Sequence, residues 1–124
     1  MTEKTNPVNW FEIPVKDLDR AKAFYEFVFE LKLDYNEMEE TQMAWFPMME
    51  GTGSTGSLVK VKGFTPSTEG TLIYFSVDDI EKTLNRITNK GGKILTPKTS
   101  IGEYGFTAIF KDTEGNKIAL HSNK

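Results

Sequence analysis

The sequence predicts an α+β fold made of two tandem βαβββ modules that form a half-open, barrel-like trough. The first observation behind this prediction is an internal repeat, because Val15–Arg20 (VKDLDR) recurs as Val77–Lys82 (VDDIEK). The offset of 62 residues is half of the 124-residue chain. A repeat of this kind indicates two copies of one supersecondary unit stacked on a shared core. We place the first module at residues 1–63, a linker at 64–70 and the second module at 71–124.

A second echo lies further along each copy. At an offset of 64 residues it pairs Phe46 with Phe110, Glu50 with Glu114, and Gly51 with Gly115. Two echoes at nearly the same offset predict that both copies contain the same elements in the same order, with a small length change between the later strands.

Each copy opens with a strand that leads into a helix. Val8–Ile13 alternates between two sets of side chains, and Leu72–Phe75 is a β-rich apolar run. Asp17 and Asp79 then occupy positions typical of helix N-caps. The pair Gly91-Gly92 predicts the end of the second helix. The first helix has a core-facing stripe at helical spacing, formed by Ala21, Phe24, Tyr25 and Val28.

Three strands are expected after each helix. In the first copy we place them near residues 32–36, 43–48 and 57–62, and in the second near 93–96, 106–110 and 117–121. Asp112–Asn116 (DTEGN) predicts a tight hairpin in which Gly115 supplies a positive φ. One helix covers one face of a four-stranded sheet, so the opposite face stays open and forms a concave site suited to small molecules.

Composition excludes several classes of function. The net charge of −3, with both signs interspersed, argues against a nucleic-acid surface. No apolar run is long enough for a membrane span, and the N-terminus lacks a signal-peptide pattern. The absence of Cys excludes disulfides and thiolate metal sites and fits a cytoplasmic location. His121 is the single His, so any multi-histidine site or Ser-His-Asp triad would have to include it.

Several segments together resemble the vicinal oxygen chelate superfamily, which contains glyoxalase I, bleomycin- and fosfomycin-resistance proteins and extradiol dioxygenases. The resemblance covers nearly the whole chain and is closest to small lactoylglutathione-lyase-related proteins, which share the FEIP opening and the closing Leu-His-Ser. It implies the fold strongly and the reaction only weakly. The segments that carry it are Phe11–Ala21, Phe24-Tyr25, Val77–Ile80, Gly91-Gly92, Asp112–Ile118 and Leu120–Ser122.

The resemblance also implies where a metal would be held. Metal-binding relatives use one ligand from each of four strands, and these positions fall here at Trp10, Leu72, Ala119 and a residue between Thr55 and Ser57. Indole, alkyl and methyl groups offer no donor to a divalent cation, which prefers imidazole or carboxylate. We therefore expect no metal cofactor. A register shift of two residues leaves a divalent metal open as an alternative, with Glu12 and His121 as donors.

Six residues are candidates for the site. Glu12 and His121 are candidate catalytic residues, because a half-buried carboxylate and an imidazole can form an acid/base couple. Each also has a structural interpretation, Glu12 as an ion-paired carboxylate and His121 as a strand residue bonded to a nearby carbonyl. The expected ligand-binding residues are Trp10, Leu72, Tyr74 and Ala119. We predict that Trp45, Phe75 and Tyr104 belong to the core.

Two functions remain open from the sequence. The first is a metal-independent protein that binds a small, partly apolar molecule between the modules, as bleomycin-resistance proteins do. Such relatives are usually dimers, and Phe27 and Phe29, which lie off the helical stripe, would suit a homodimer face. The second is a lyase or isomerase of the glyoxalase I type that uses Glu12 and His121, with or without a metal. Neither function involves nucleic acid or a membrane.

Overall fold

A computed structural model describes residues 6–124, so the first five residues of the predicted first module lie outside the described part of the chain. In each half of the described chain, one strand, one helix and three further strands follow one another in the order that the repeat predicts. The first half contains β1 (Trp10–Pro14), α1 (Leu18–Phe29), β2 (Asp34–Met38), β3 (Thr41–Trp45) and β4 (Thr55–Lys60). The second contains β5 (Ile73–Ser76), α2 (Ile80–Asn89), β6 (Lys93–Ser100), a short 3₁₀ helix (Gly102–Tyr104), β7 (Phe106–Lys111) and β8 (Lys117–Ser122).

The eight strands form two mixed four-stranded sheets that do not close into a barrel. Their orders are β1-β4-β3-β2 and β5-β8-β7-β6, so the two halves have one topology. In each sheet the first strand pairs in parallel with the last, and the other pairs are antiparallel. This arrangement confirms the predicted α+β class and the two βαβββ units. It also leaves β1 and β5 at sheet edges.

The strand bounds differ most from prediction in β6, which runs to Ser100 instead of ending near residue 96. Pro97 lies inside it, and a proline cannot donate to a sheet ladder. β6 tolerates Pro97 because it is an edge strand whose pairing with β7 shifts register twice, between Ile94 and Thr96 and between Thr96 and Thr99. The predicted strand ended before Pro97 because proline breaks the strand pattern, whereas the irregular edge strand β6 continues past it.

Both helices begin at the predicted caps. The Asp17 carboxylate accepts from the Arg20 amide at 3.1 Å, and the Asp79 carboxylate accepts from the Lys82 amide at 3.1 Å. The end of α2 also agrees with prediction, because Gly91 has φ +99° and the Gly92 amide donates to the Ile87 carbonyl at 2.8 Å. The predicted stripe of α1 is buried along its whole length.

One hydrophobic core joins the two halves. The helix-facing sides of both sheets and both helices contribute to it. Phe24 of α1 lies 6.1 Å from Phe110 of β7, ring centre to ring centre, and Phe11 of β1 lies 5.7 Å from Phe75 of β5. The two modules therefore share a single hydrophobic core.

Phe29, which we expected to suit a dimer face, is half-buried against the core of its own chain. Its ring stacks on Phe75 with the centres 4.5 Å apart, so it packs between α1 and the second half of the same chain. Because Phe27 and Phe29 lie off the helical stripe, the sequence predicts that α1 is contacted on two sides, and α1 does contact both halves of the chain. Phe27 does stay 44% exposed, with the Lys90 ammonium 5.5 Å from its ring centre.

The turn between β7 and β8 fastens the second half to the first. The Glu114 side chain is fully buried, and its Oε1 accepts the amide N–H groups of Lys16 and Asp17, each at 2.8 Å. Arg20 donates to Oε2 at 2.7 Å. Although burial opposes ionisation, these donors lower the pKa of Glu114 to about 2.

A second buried group completes this turn. Asp112 accepts three backbone N–H groups of the turn through Oδ1, from Glu114, Gly115 and Asn116. The Tyr25 hydroxyl donates to its Oδ2 at 2.7 Å, and burial together with the nearby carboxylate raises the pKa of Tyr25 well above its usual value. The Asn116 amide donates to the Pro14 carbonyl at 2.8 Å. The predicted hairpin is thus also the main polar contact between the modules.

Among the described residues, no helix is both long and apolar enough to cross a bilayer.

Candidate ligand-binding site

The first candidate surface is the face of the first sheet that points away from the core. In β1 the alternation of a strand buries Ile13 and packs Phe11 on the core, whereas half-buried Trp10 and exposed Glu12 lie on the opposite face. Strand pairing places Thr55 beside Trp10 and Ser57 beside Glu12. The sequence therefore assigned the strand face of Trp10 and Glu12 correctly.

Two tryptophans lie together on this face. The Trp10 and Trp45 rings meet edge to face with their centres 5.5 Å apart, a favourable aromatic geometry. The Trp10 indole N–H donates a long hydrogen bond of 3.4 Å to Glu12 Oε2. Trp45 is 39% exposed, so its assignment to the core is wrong. Tyr104 is 71% exposed, and its assignment to the core is wrong as well.

The second candidate surface is the equivalent face of the other sheet. Tyr74 is 55% exposed and pairs with Ala119, which is completely buried, while Ser76 pairs with His121. Leu72 lies just before β5 and is half-buried. His121 Nε2 lies 2.7 Å from the carbonyl oxygen of Tyr104. A carbonyl only accepts, so Nε2 carries the proton and Nδ1 is the basic atom of the neutral ring.

A cavity of about 400 Å³ lies between the two halves. It is lined by Trp10 and Glu12 of β1, by the linker, and by the beginnings of β5 and β8. Apolar walls come from Phe64 and Ile73, and Lys117 adds a cation. The full lining is Val8, Trp10–Pro14, Phe64, Thr65, Ser67, Gly70, Thr71, Ile73 and Asn116–Ile118. We call this the Trp10 cavity.

His121 lines a different cavity, of about 640 Å³, between the end of α1, the end of β5 and the start of α2. We call it the α2 cavity. Because Glu12 faces the Trp10 cavity and His121 the α2 cavity, the structure does not bring the two expected catalytic residues into one cavity of the chain. The hydrogen bond of His121 to Tyr104 matches the structural interpretation of that residue.

Several lining residues were missed from the sequence. Phe64 is the one large apolar side chain of the polar linker (FTPSTEG), and that contrast was a usable signal. No sequence signal indicated that Ile73 or Lys117 would line a cavity, because each is an ordinary strand residue. They reach the Trp10 cavity only because the second half packs against β1.

The donor set does not fit the metal that the fold family implies. Trp10, Leu72 and Ala119 offer no ligand atom, and Thr55 and Ser57 offer only neutral hydroxyl groups in place of the imidazole or carboxylate that a divalent cation prefers. Within residues 6–124, no three His, Asp or Glu side chains cluster as a cation site would need.

Comparison with known proteins decides the family. The model of the Glyoxalase/Bleomycin resistance protein/Dioxygenase superfamily matches residues 8–120. The chain belongs to this superfamily. A glyoxylase-like domain-containing protein of Didymella fabae is 30% identical over 118 residues, which is 91% of each chain.

Solved structures of the superfamily have the same fold. A glyoxylase/bleomycin resistance protein/dioxygenase domain from Frankia superposes with a TM-score of 0.75 at 18% identity, covering 97% of this chain and 99% of that one. A glyoxalase I variant from Zea mays gives a TM-score of 0.74 at 24% identity. The match covers 94% of this chain but 47% of the maize protein, so this superfamily member spans about half of that enzyme.

Proposed function

We propose that this superfamily member binds a small, partly apolar molecule in the Trp10 cavity without a divalent metal. The observation that carries the proposal is the lining of that cavity, which combines one indole, two phenyl rings and three isoleucine side chains with one carboxylate and one ammonium group. Ligand sites of proteins are typically mostly apolar, with a few polar groups that orient the ligand.

The contacts suggest how such a molecule would lie. Its apolar body would pack on Trp10, whose ring is in edge-to-face contact with Trp45. A donor group of the ligand would bond to Glu12, and an anionic or carbonyl group would bond to Lys117. Because these three side chains come from both modules, the ligand would bridge the halves.

The metal that relatives bind is not expected here, because the side chains at the ligand positions lack suitable donor atoms. The positions expected to supply ligands hold an indole, an isobutyl group and a methyl group, and none of these coordinates a divalent cation. Metal analysis of the purified protein after Ni²⁺, Zn²⁺, Fe²⁺ or Mn²⁺ is added back tests this part. A tightly bound, stoichiometric ion would contradict it.

A fluorescence titration tests the binding site. The probe is 8-anilinonaphthalene-1-sulfonate, which has an aromatic body and one anionic group. We expect saturable binding that Trp10→Ala weakens about tenfold, the loss typical of removing one aromatic anchor from a pocket. The matched control is Tyr104→Ala, an exposed aromatic that lines neither cavity. Equal losses in the two variants would overturn the assignment of the site.

We also propose a homodimer. Among the described strands, β1 and β5 each have one edge to which no strand is paired, and such an edge can pair with another chain. Trp45, Met48 and Met49 are large apolar side chains exposed on or beside the first sheet. A second copy that pairs along these strand edges would also cover the three exposed apolar side chains. It would bring the open faces of the two sheets together. Sedimentation velocity at micromolar concentration should then give twice the mass of one chain, and a monomer would refute this.

The alternative is a glyoxalase-I-like lyase or isomerase in which Glu12 and His121 act as acid and base. One observation favours it, namely that His121 has Nδ1 as its basic atom when Nε2 donates to Tyr104. Since the two residues face separate cavities within one chain, this enzyme would need the dimer to bring them together. Any activity found should be lost in both Glu12→Gln and His121→Ala. An intact activity in either variant would remove the acid/base couple.

A further inference from the structure

The linker between the two halves carries one side chain that the core does not use. Phe64 is the one large apolar residue of residues 64–70, and its ring is 38% exposed. Within the described part of the chain, the hydrophobic core that joins the halves does not include it. Only apolar area that is removed from water stabilises a fold, so a ring outside the core contributes less than a core ring does. What the Phe64 ring borders explains its position better.

Phe64 lies between two cavities. One is the Trp10 cavity of about 400 Å³, and the other is a cavity of about 530 Å³ beside the end of β4, which we call the β4 cavity. Both are lined by Phe64 and Thr65, and the consecutive residues Pro14 and Val15 line one cavity each. The two linker residues therefore form a wall between neighbouring cavities, and the phenyl ring is its apolar part.

The two cavities differ in the chemistry of their walls. Three aromatic and three isoleucine side chains line the Trp10 cavity, whereas the β4 cavity is bordered by charged side chains such as Lys60, Lys62 and Glu40. An apolar chain bound on Trp10 gains affinity from each methylene group that it buries. Beyond Phe64 it would cover charged groups, and these lose hydration when apolar atoms cover them. The apolar part of the site therefore ends at Phe64.

Hydrogen bonds attach the linker on both sides of the ring. The Phe64 amide donates to the Val61 carbonyl at 3.3 Å, which ties the ring to the end of the first half. Three residues later, the Ser67 amide donates to the side-chain oxygen of Asn116 at 3.3 Å. Asn116 belongs to the turn before β8, and its side chain also binds the end of β1. These attachments to both halves hold Phe64 at the boundary between the cavities.

We infer that Phe64 is a specificity-determining residue, which limits the length of the molecule bound in the Trp10 cavity. The inference rests on the proposed function, because it concerns the same site. The ligand class that it names is a short amphiphile, with one polar end and an apolar part that stops at the Phe64 ring. A longer apolar chain gains no further affinity, since its additional methylene groups stay in water.

A series of straight-chain alkanoates from hexanoate to dodecanoate measures this limit by isothermal titration calorimetry. In the native protein we expect the affinity to rise about fourfold for each added methylene group, which is about 0.8 kcal/mol, and then to level off. Phe64→Ala should move the levelling point to chains that are longer by about two methylene groups, because the space of the ring becomes available. Phe64→Trp enlarges the side chain and should move it to shorter chains.

Phe27→Ala is the matched control, because it removes a ring that is 44% exposed and lines none of the three cavities. It should leave the levelling point unchanged. A levelling point that is the same in the native protein and in both Phe64 variants would overturn the inference and leave the proposed function standing, as would an affinity that rises without levelling in the native protein. Absent binding, or binding that Trp10→Ala does not weaken, would overturn the proposed site and the inference with it.

Discussion

The turns at Glu114 and Glu50 occupy equivalent positions in the two halves, yet they serve opposite purposes. The Glu114 turn is buried and supplies the polar contacts that fasten the second half to α1. The Glu50 turn is exposed and leaves the matching helix N-terminus beside a cavity. One repeated sequence frame thus forms a buried polar contact in one copy and has an exposed turn in the other.

The largest expected effect comes from the paired substitutions Glu114→Ala and Glu50→Ala. Removing the buried carboxylate leaves two amide donors and Arg20 without their acceptor, so we expect the free energy of unfolding to fall by about 2–3 kcal/mol. Removing the exposed one should leave it unchanged within error. Urea unfolding of both variants measures the difference. Equal losses would show that the two turns are equivalent after all.

The same contrast predicts an acid transition. Because the folded pKa of Glu114 is about 2 and its ordinary value is 4.5, its ionised form is favoured by folding. Its contribution to stability is therefore complete above pH 4.5 and is lost as the pH falls towards 2, by about 3 kcal/mol at most. Unfolding measured from pH 6 to pH 2 should show this slope in the native protein. Glu114→Ala should show a shallower slope, and an unchanged slope would contradict the assignment.

A smaller effect is expected from the tyrosines of the first half. Tyr25→Phe removes the hydroxyl that donates to buried Asp112, but Asn116 still donates to the same oxygen at 3.1 Å. We expect a loss of about 1–2 kcal/mol in the free energy of unfolding. Tyr35→Phe removes an exposed hydrogen bond to Glu37 and should change nothing measurable in thermal unfolding. A larger loss in Tyr35→Phe would reverse the comparison.

Much of this fold could be predicted from local patterns. The caps at Asp17 and Asp79, the Gly91-Gly92 helix end and the hairpin at Gly115 are all set by residues close in sequence, and the structure agrees with each. The order of strands followed from the repeat. The end of β6 could not be placed, because pairing to β7 across two register shifts keeps it extended through Pro97.

The candidate site was harder to predict, because it depends on contacts between the halves. The strand faces of Trp10, Glu12, Tyr74 and His121 could be read from alternation with period two. Which cavity each residue faces depends on how the second half packs on β1 and α1, and no local pattern contains that information. The exposed position of Trp45 was missed for the same reason, since a strand aromatic is equally compatible with either face of its sheet.

The most direct test of the proposed metal-free binding at Trp10 is an NMR measurement of contacts between the protein and bound 8-anilinonaphthalene-1-sulfonate, made after exhaustive treatment with a chelator. We expect cross-relaxation between the aromatic protons of the probe and the side chains of Trp10 and Ile73, with affinity unchanged by the chelator. Binding that disappears with the chelator, or contacts only with residues outside the Trp10 cavity, would contradict it.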